Sequence, residues 1–271
     1  MTLITRLASS FTDITIPKLV KDPVIPSAGA QLLVDMKSVG TWPSQGSSLT
    51  TGSQLFSLVD NNWPALGVLG NHTYNATRGG LQSSGSGDSA SGLWLSNTSV
   101  GIFDNDTHAW AFTFWFYRGA ATSGSFMLSR DRAFELTSNG SGGPCTLSIF
   151  GASGTANNAF LVGANYSVLR RIGFTVYQDS SNVWKYRTVE NNTISAESNL
   201  SGATNTAGGA GLRASASGTT RPRVFPVPSG YAPVPTDYLF YRTYAENLTL
   251  SERTYQQVFD ADWARGNGRY S

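Results

Sequence analysis

Strict alternation marks the middle of this chain. Along residues 110–117 the even positions Trp110, Phe112, Phe114 and Phe116 are all aromatic, while the odd positions Ala111, Thr113, Trp115 and Tyr117 mix small and amphipathic side chains. Successive side chains of a strand point to opposite faces. One set therefore belongs in a core, and the other on a face that is only partly covered. The segment is predicted as a central strand of a sheet packed on a second sheet. Residues 168–177 alternate again, and a polar loop at 178–182 leads into 183–189, so the two runs form a hairpin. Residues 238–244 read as the last strong strand. Shorter strands are expected at 31–36, 126–129, 133–136 and 146–150. Gly/Ser-rich residues 79–92 are expected to be a mobile loop, and 195–220 a long excursion.

The two ends break this pattern. Ser251 is placed as a helix cap, with Glu252, Tyr255, Val258 and Phe259 following at helical spacing. At the head, Leu3, Ile4, Leu7 and Phe11 fit one face of a short helix. Pro17, Pro23 and Pro26 then enforce extended chain, with Ile14, Ile16, Leu19, Val20, Val24 and Ile25 between and around them. Such a segment cannot build its own core. The favoured reading is an arm, residues 1–30, that docks on a partner through Leu3, Ile4, Leu7, Phe11, Ile16 and Leu19. The alternative is a strap on its own domain. Residues 31–271 form the β-rich body. Many short strands, punctuated by turns, indicate a sandwich or barrel.

Composition narrows the function classes. Charged residues make up 13% of the 271 positions, against roughly 25% in an average soluble protein. Ser, Thr, Asn and Gly supply the polarity instead, as is common in extracellular and virion proteins. A net charge of +2 without a dense basic patch speaks against nucleic acid as a partner. The one cysteine, Cys145, excludes an intrachain disulfide, and neither His72 nor His108 is coupled to it as a base. No basic n-region with an apolar run opens the chain. No apolar stretch reaches the roughly 20 residues that span a bilayer. Assembly in a host cytoplasm, with no membrane partner, is the expectation.

Three separated segments resemble the concanavalin A-like, laminin-G-like jelly roll. Residues 110–116 resemble its aromatic strand, 171–177 its later alternating strand with a hairpin partner, and 238–252 its closing strand and turn. The resemblance covers roughly residues 30–260. It implies an all-β fold: a two-sheet antiparallel jelly-roll sandwich, here with an extended N-terminal arm and a short C-terminal helix. A concave face would often carry the binding site. The chain departs from the family at the middle hairpin, where residues 179–182 replace an Asp-Gly turn. The head, residues 3–19, resembles the start of tailed-bacteriophage virion proteins that carry such a domain.

The resemblance implies a non-enzymatic virion structural protein, a capsid decoration or a tail or baseplate component. Its partners would be other virion proteins, in a homo-oligomer or a lattice. The alternative is a carbohydrate-binding module for a host surface glycan. Glycosidases of this fold carry paired acids in a Glu-X-Asp-X-X-Glu pattern, and retaining hydrolysis needs two carboxylates about 5 Å apart. No such triplet occurs; Glu135 stands alone on its strand. Sugar binding needs exposed aromatic rings. Among the tryptophans, Trp115 and Trp184 are the best placed, on the less apolar sides of their strands, with Tyr186 beside them. No cofactor is expected, with calcium as the exception: Asp104 and Asp106, just ahead of the aromatic strand, are candidate ligands.

Overall fold

The alternating segments do become strands. The computed structural model describes residues 22, 24–26, 28–45, 48–59, 64–69, 71–83, 92–95, 108–118, 124–128, 134–138, 145–151, 153, 155–161, 168–203 and 238–270. Among the described residues the strands are β1 Ala30–Asp35, β2 Gln54–Phe56, β3 Pro64–Leu69, β4 His72–Asn75, β5 Gly80–Ser83, β6 Gly92–Leu95, β7 Trp110–Arg118 and β8 Gly124–Leu128. They continue with β9 Phe134–Ser138, β10 Cys145–Phe150, β11 Ala156–Leu161, β12 Val168–Gln178, β13 Trp184–Glu190, β14 Thr193–Ile194, β15 Ser198–Asn199 and β16 Tyr238–Asn247. Two helices follow, α1 Leu248–Ser251 and α2 Tyr255–Gly266. The chain is an all-β sandwich with a short C-terminal helix.

One layer is a nine-stranded sheet in the order β14-β13-β12-β7-β16-β5-β4, with β1 added to β16 and β15 to β13. The other layer holds two runs, β11-β10-β9-β8 and β2-β3-β6. Every strand pair found is antiparallel. The even residues of β7 fill the space between the layers, as their aromatic character requires. Phe112 and Phe114 meet Phe134 of β9 at ring-centroid distances of 5.1 and 5.6 Å. Ile172, Phe174 and Val176 of β12, Phe240 of β16, and Leu147 and Ile149 of β10 complete that core. The predicted hairpin is β12 with β13. Asp179 makes its turn, accepting from the backbone N–H groups of Ser181 and Val183 at 2.8 and 2.9 Å.

Three expectations are corrected. Residues 80–83, expected within a mobile loop, form β5 against β16 and β4. The C-terminal helix is not capped by Ser251, which closes α1. It starts at Tyr255, where Thr254 and Gln257 form a reciprocal capping box. Most consequential, the second face of the large sheet is covered. Ala111, Thr113 and Trp115 are all buried, beneath α2, the tail to Tyr270 and residues of the N-terminal segment.

A bulge in β16 prepares this outer face. Phe240 pairs with Phe116 and Arg242 with Trp115, so Tyr241 is the extra residue. Tyr241 and Arg242 then both point outward, without disturbing the inward Phe240 and Ala245. The helix meets this face with Val258, Phe259, Asp262 and Gly266, its buried stripe. The described residues between 22 and 30 are a strap on the chain's own body, the alternative the sequence left open. Asp22 and Val24 are buried there. Gly29, with φ of +86°, lies so close to α1 that a Cβ would come within 2.6 Å of Asn247 O and Ser251 N. The docking candidates Leu3, Ile4, Leu7, Phe11, Ile16 and Leu19 lie outside the described residues.

Candidate functional site

The outer face of the large sheet takes Trp115 away from any ligand. Trp115 is 1% exposed, its indole N–H donates to Asp262 Oδ2 at 2.8 Å, and its ring stacks on Trp263 at 5.5 Å. Trp184 is 2% exposed and belongs to the core between the layers. Neither ring offers a face to a sugar, so both are corrected as candidate platforms. Trp115 does lie on the outer face, as its alternation places it, but nothing in the pattern announced that α2 would cover it; Trp184 faces the core instead of the less apolar side expected for it. Tyr186 keeps some surface while packing at the margin of the core. Asp104 and Asp106 lie outside the described residues, and among the described residues no group of acids, histidines or cysteines is arranged to hold a metal ion.

Beneath α2 lies a buried layer of charge. The Arg242 guanidinium, fully buried, contacts Asp262 at 3.0 Å, Asp22 at 3.1 Å and Asp35 at 3.4 Å. Burial alone would lower its pKa, but the carboxylates around it hold it above its ordinary value. Arg265 and Arg269 add further pairs, to Asp22 at 3.1 Å and Asp35 at 3.0 Å. Arg171, also fully buried, donates to Asn191 O at 2.8 Å and to Phe259 O, and lies 5.2 Å from the Trp263 ring. Burial draws it down to about 10 against the opposing pull of Asp262 and Asp260. Arg171, Arg242, Asp22, Asp35 and Asp262 are shut away from solvent and paired with one another, with Nη2 of Arg171 and of Arg242 left without a hydrogen-bond partner, while Arg265 and Arg269 reach the surface. The layer is a fastening between helix, strap and sheet.

The half-exposed chemistry sits at the sheet margin instead, where the first turn of α2 meets β12 and β13. Tyr177 and Tyr255 stack at 5.5 Å with an interplanar angle of 16°. The Tyr177 hydroxyl donates to Glu197 and accepts from Arg187 Nε at 3.0 Å. Arg187 lies 5.5 Å from the Tyr255 ring, donates to Ser195 O at 3.0 Å and pairs with Glu197 at 3.5 Å. Lys185 bridges Asp179 at 3.3 Å, Glu197 at 3.9 Å and the Asn199 side chain at 2.7 Å. Burial and the hydrogen bond to Glu197 push the Tyr177 phenol up to about 12. Side-chain exposures of 17% to 35% for Lys185, Arg187, Asp179 and Glu197 leave these groups reachable from solvent.

Register explains the assembly. Tyr177 pairs with Lys185 and Thr175 with Arg187, so Tyr177, Lys185 and Arg187 share the outward face of the hairpin. These positions oppose the core residues Phe174, Val176 and Trp184, the last of which was expected on the less apolar side, so the face is fixed by the observed register. Glu197 and Tyr255 join from elsewhere in the chain and carried no local signal. The margin combines aromatic surface with a guanidinium, an ammonium, carboxylates and an amide. Such a set recognises hydroxyl groups through paired donors and acceptors. The two cations face two carboxylates, so the cluster is close to neutral.

No protein-family model matches the sequence, and no curated protein is similar to it. Solved structures are similar in fold. The binding domain of botulinum neurotoxin DC in complex with rat synaptotagmin II superposes with a TM-score of 0.53 at 9% identity, over 87% of this chain and 51% of that one. The botulinum neurotoxin serotype D binding domain gives 0.52 at 9%, over 83% and 52%. The binding domain of botulinum neurotoxin DC in complex with SialylT gives 0.50 at 10%, over 84% and 53%. The chain spans about half the length of these neighbours. At 9–10% identity the likeness is one of fold, an antiparallel β-sandwich.

Proposed function

We propose that the chain is a non-catalytic glycan-binding sandwich whose ligand surface is the margin formed by Tyr177, Lys185, Arg187, Glu197 and Tyr255. The observation that carries this reading is the half-exposed stacked tyrosine pair, ringed by donors and acceptors on one face of the β12–β13 hairpin. The neighbouring structures lend support: one belongs to botulinum neurotoxin type C, whose cell entry is described as dependent upon interaction with two ganglioside molecules, and another is a complex with SialylT. Binding to a panel of immobilised neutral and acidic glycans tests it. The wild-type chain should bind at least one. Glu197→Gln should weaken that binding, since a hydrogen bond to a charged group contributes about 1.5–3 kcal/mol, roughly tenfold or more in affinity. Absence of binding to the whole panel refutes the reading.

A second reading concerns where the sandwich works. We propose that it is displayed on a phage virion, as a capsid decoration or tail component, through the segment ahead of Asp22. The head at residues 3–19 resembles that of such proteins, and its apolar residues are interleaved with prolines. Deleting residues 1–21 should abolish incorporation into particles while the body stays folded; full incorporation of the shortened chain refutes it. Assembly as a homo-oligomer or on a lattice belongs to the same proposal, and solution mass separates the two. Calcium at Asp104 and Asp106 is proposed as an accessory to glycan binding. Identical glycan binding in excess chelator removes that role.

A further inference from the structure

The strap grips α2 at both ends. Asp22 reaches Arg265, in the last turn of the helix, at 3.1 Å. The carbonyl of Val24 accepts from Arg253, just ahead of the first turn, at 3.0 Å. Between these contacts the strap also reaches the sheet. Asp22 pairs with Arg242, which holds Asp262 of the helix. Val24, 1% exposed, packs in the same apolar cluster as Leu33, Tyr244, Val258 and Phe259. Its carbonyl accepts a second bond, from the Tyr244 hydroxyl at 3.3 Å. Two buried strap residues thus tie the helix to the sheet through ionic, hydrogen-bonded and apolar contacts.

The helix they hold depends on being held. It has 12 residues, a length at which an isolated helix is marginal in water, so its order comes from docking. Its first residue is Tyr255, the ring stacked on Tyr177. Tyr255 also packs against the cluster that contains Val24. A loosened first turn would carry Tyr255 off Tyr177 and away from Arg187. The strap and the margin therefore bias one element, which is the physical requirement for coupling two sites.

We propose that Asp22 and Val24 form a latch that sets the ligand affinity of the margin. This rests on the glycan reading above. Seated, the latch keeps α2 docked and the tyrosine pair assembled. A partner that captures the residues ahead of Asp22, and draws the strap off the sheet, weakens ligand binding. By reciprocity, ligand at the margin makes the strap harder to lift. The margin's apparent affinity falls by the fraction of molecules with α2 undocked.

Hydrogen exchange on the full-length chain tests this with two variants. Asp22→Asn removes the ion pairs with little change of shape, and Val24→Ala removes packing without touching the charges. In each, amides of α2 should exchange at least tenfold faster, while those of β7 (Trp110–Arg118) stay at the wild-type rate. Affinity for the best-bound glycan of the panel should fall about three- to tenfold. Unchanged exchange in α2, or an equal rise in α2 and β7, overturns the latch. If no glycan binds the wild type, the glycan reading alone fails, and the latch is decided by exchange. If glycan binding is intact while α2 exchange rises, the latch exists but does not govern the margin, and the proposal is overturned.

Discussion

Gly266→Ala separates two opposing effects on α2. Gly266 is the last residue of the helix, its φ is not in the left-handed region, and it is buried. On propensity alone, alanine would add up to about 1 kcal/mol of stability. The packing opposes this. A Cβ at position 266 would stand 2.8 Å from Cη2 of Trp115 and closer still to Cζ2 and Cε2, against an ordinary contact of 3.4 Å or more. Trp115 cannot retreat freely: its indole N–H is bonded to Asp262, and its ring lies between Trp263 and Tyr270 at 5.5 and 5.7 Å. Overpacking of a filled core costs about 1–3 kcal/mol, so the clash outweighs the propensity gain. The net expectation is a loss of about 1–2 kcal/mol, read as a lower urea midpoint at unchanged slope. Ala264→Gly, on the exposed side of the same helix, should cost up to about 1 kcal/mol and calibrates propensity. Placing Gly266→Ala on a Trp115→Phe background should reduce its cost or reverse it, because the clashing ring atoms are gone. A more stable Gly266→Ala single variant refutes the docking of α2 over Trp115.

Three further outcomes follow from the charges and the margin. Arg242→Met removes the cation shared by Asp22, Asp35 and Asp262, leaving them to Arg265, Arg269 and Arg171, and should cost about 3–5 kcal/mol in urea unfolding; a cost below about 1 kcal/mol contradicts the buried network. Asp22 is held below its ordinary pKa of 3.8: burial pushes it up, but Arg242, the Val24 N–H and Arg265 outweigh that. A depressed carboxyl contributes stability that is complete above about pH 5 and lost as pH falls through its folded value. The melting temperature of Asp22→Asn should therefore lie below that of the wild type at neutral pH, with the gap closing below about pH 4; a gap constant with pH contradicts the pairing. At the margin, spectrophotometric titration of the wild type minus Tyr177→Phe should show a phenol ionising near pH 12. Glu197→Gln should move that ionisation lower, and no movement would separate Tyr177 from Glu197.

The sandwich itself was legible, because a period-two pattern is imposed wherever one face of a strand meets a core. Phe112, Phe114, Phe174 and Phe240 lie where their alternation places them. What escaped was the second covering. Trp115 on an outward position is compatible with open or covered surface, and only the placement of α2 decides between them. Thr254 and Gln257 carry a capping-box pattern as local as the Ser251 signal, and it is that pattern that starts α2, while Ser251 ends a separate short turn of helix. The charge layer was illegible for a different reason. Asp22, Asp35, Arg171, Arg242 and Asp262 are scattered over more than 200 residues, and charge scattered at that spacing reads as solvated surface. Of the margin, the shared face of Tyr177, Lys185 and Arg187 follows from hairpin register. Glu197 and Tyr255 depend on how a loop and a helix fold back.

The most direct test of the account is a calorimetric titration of the best-bound glycan into wild type, Tyr255→Ala and Glu197→Gln, each first shown to unfold at a similar urea concentration. The account predicts at least tenfold weaker binding by both variants, with Tyr186→Ala binding like the wild type because its ring belongs to the core margin on the other face. Equal affinity of the two margin variants and the wild type would contradict the assignment of the ligand surface to the tyrosine pair.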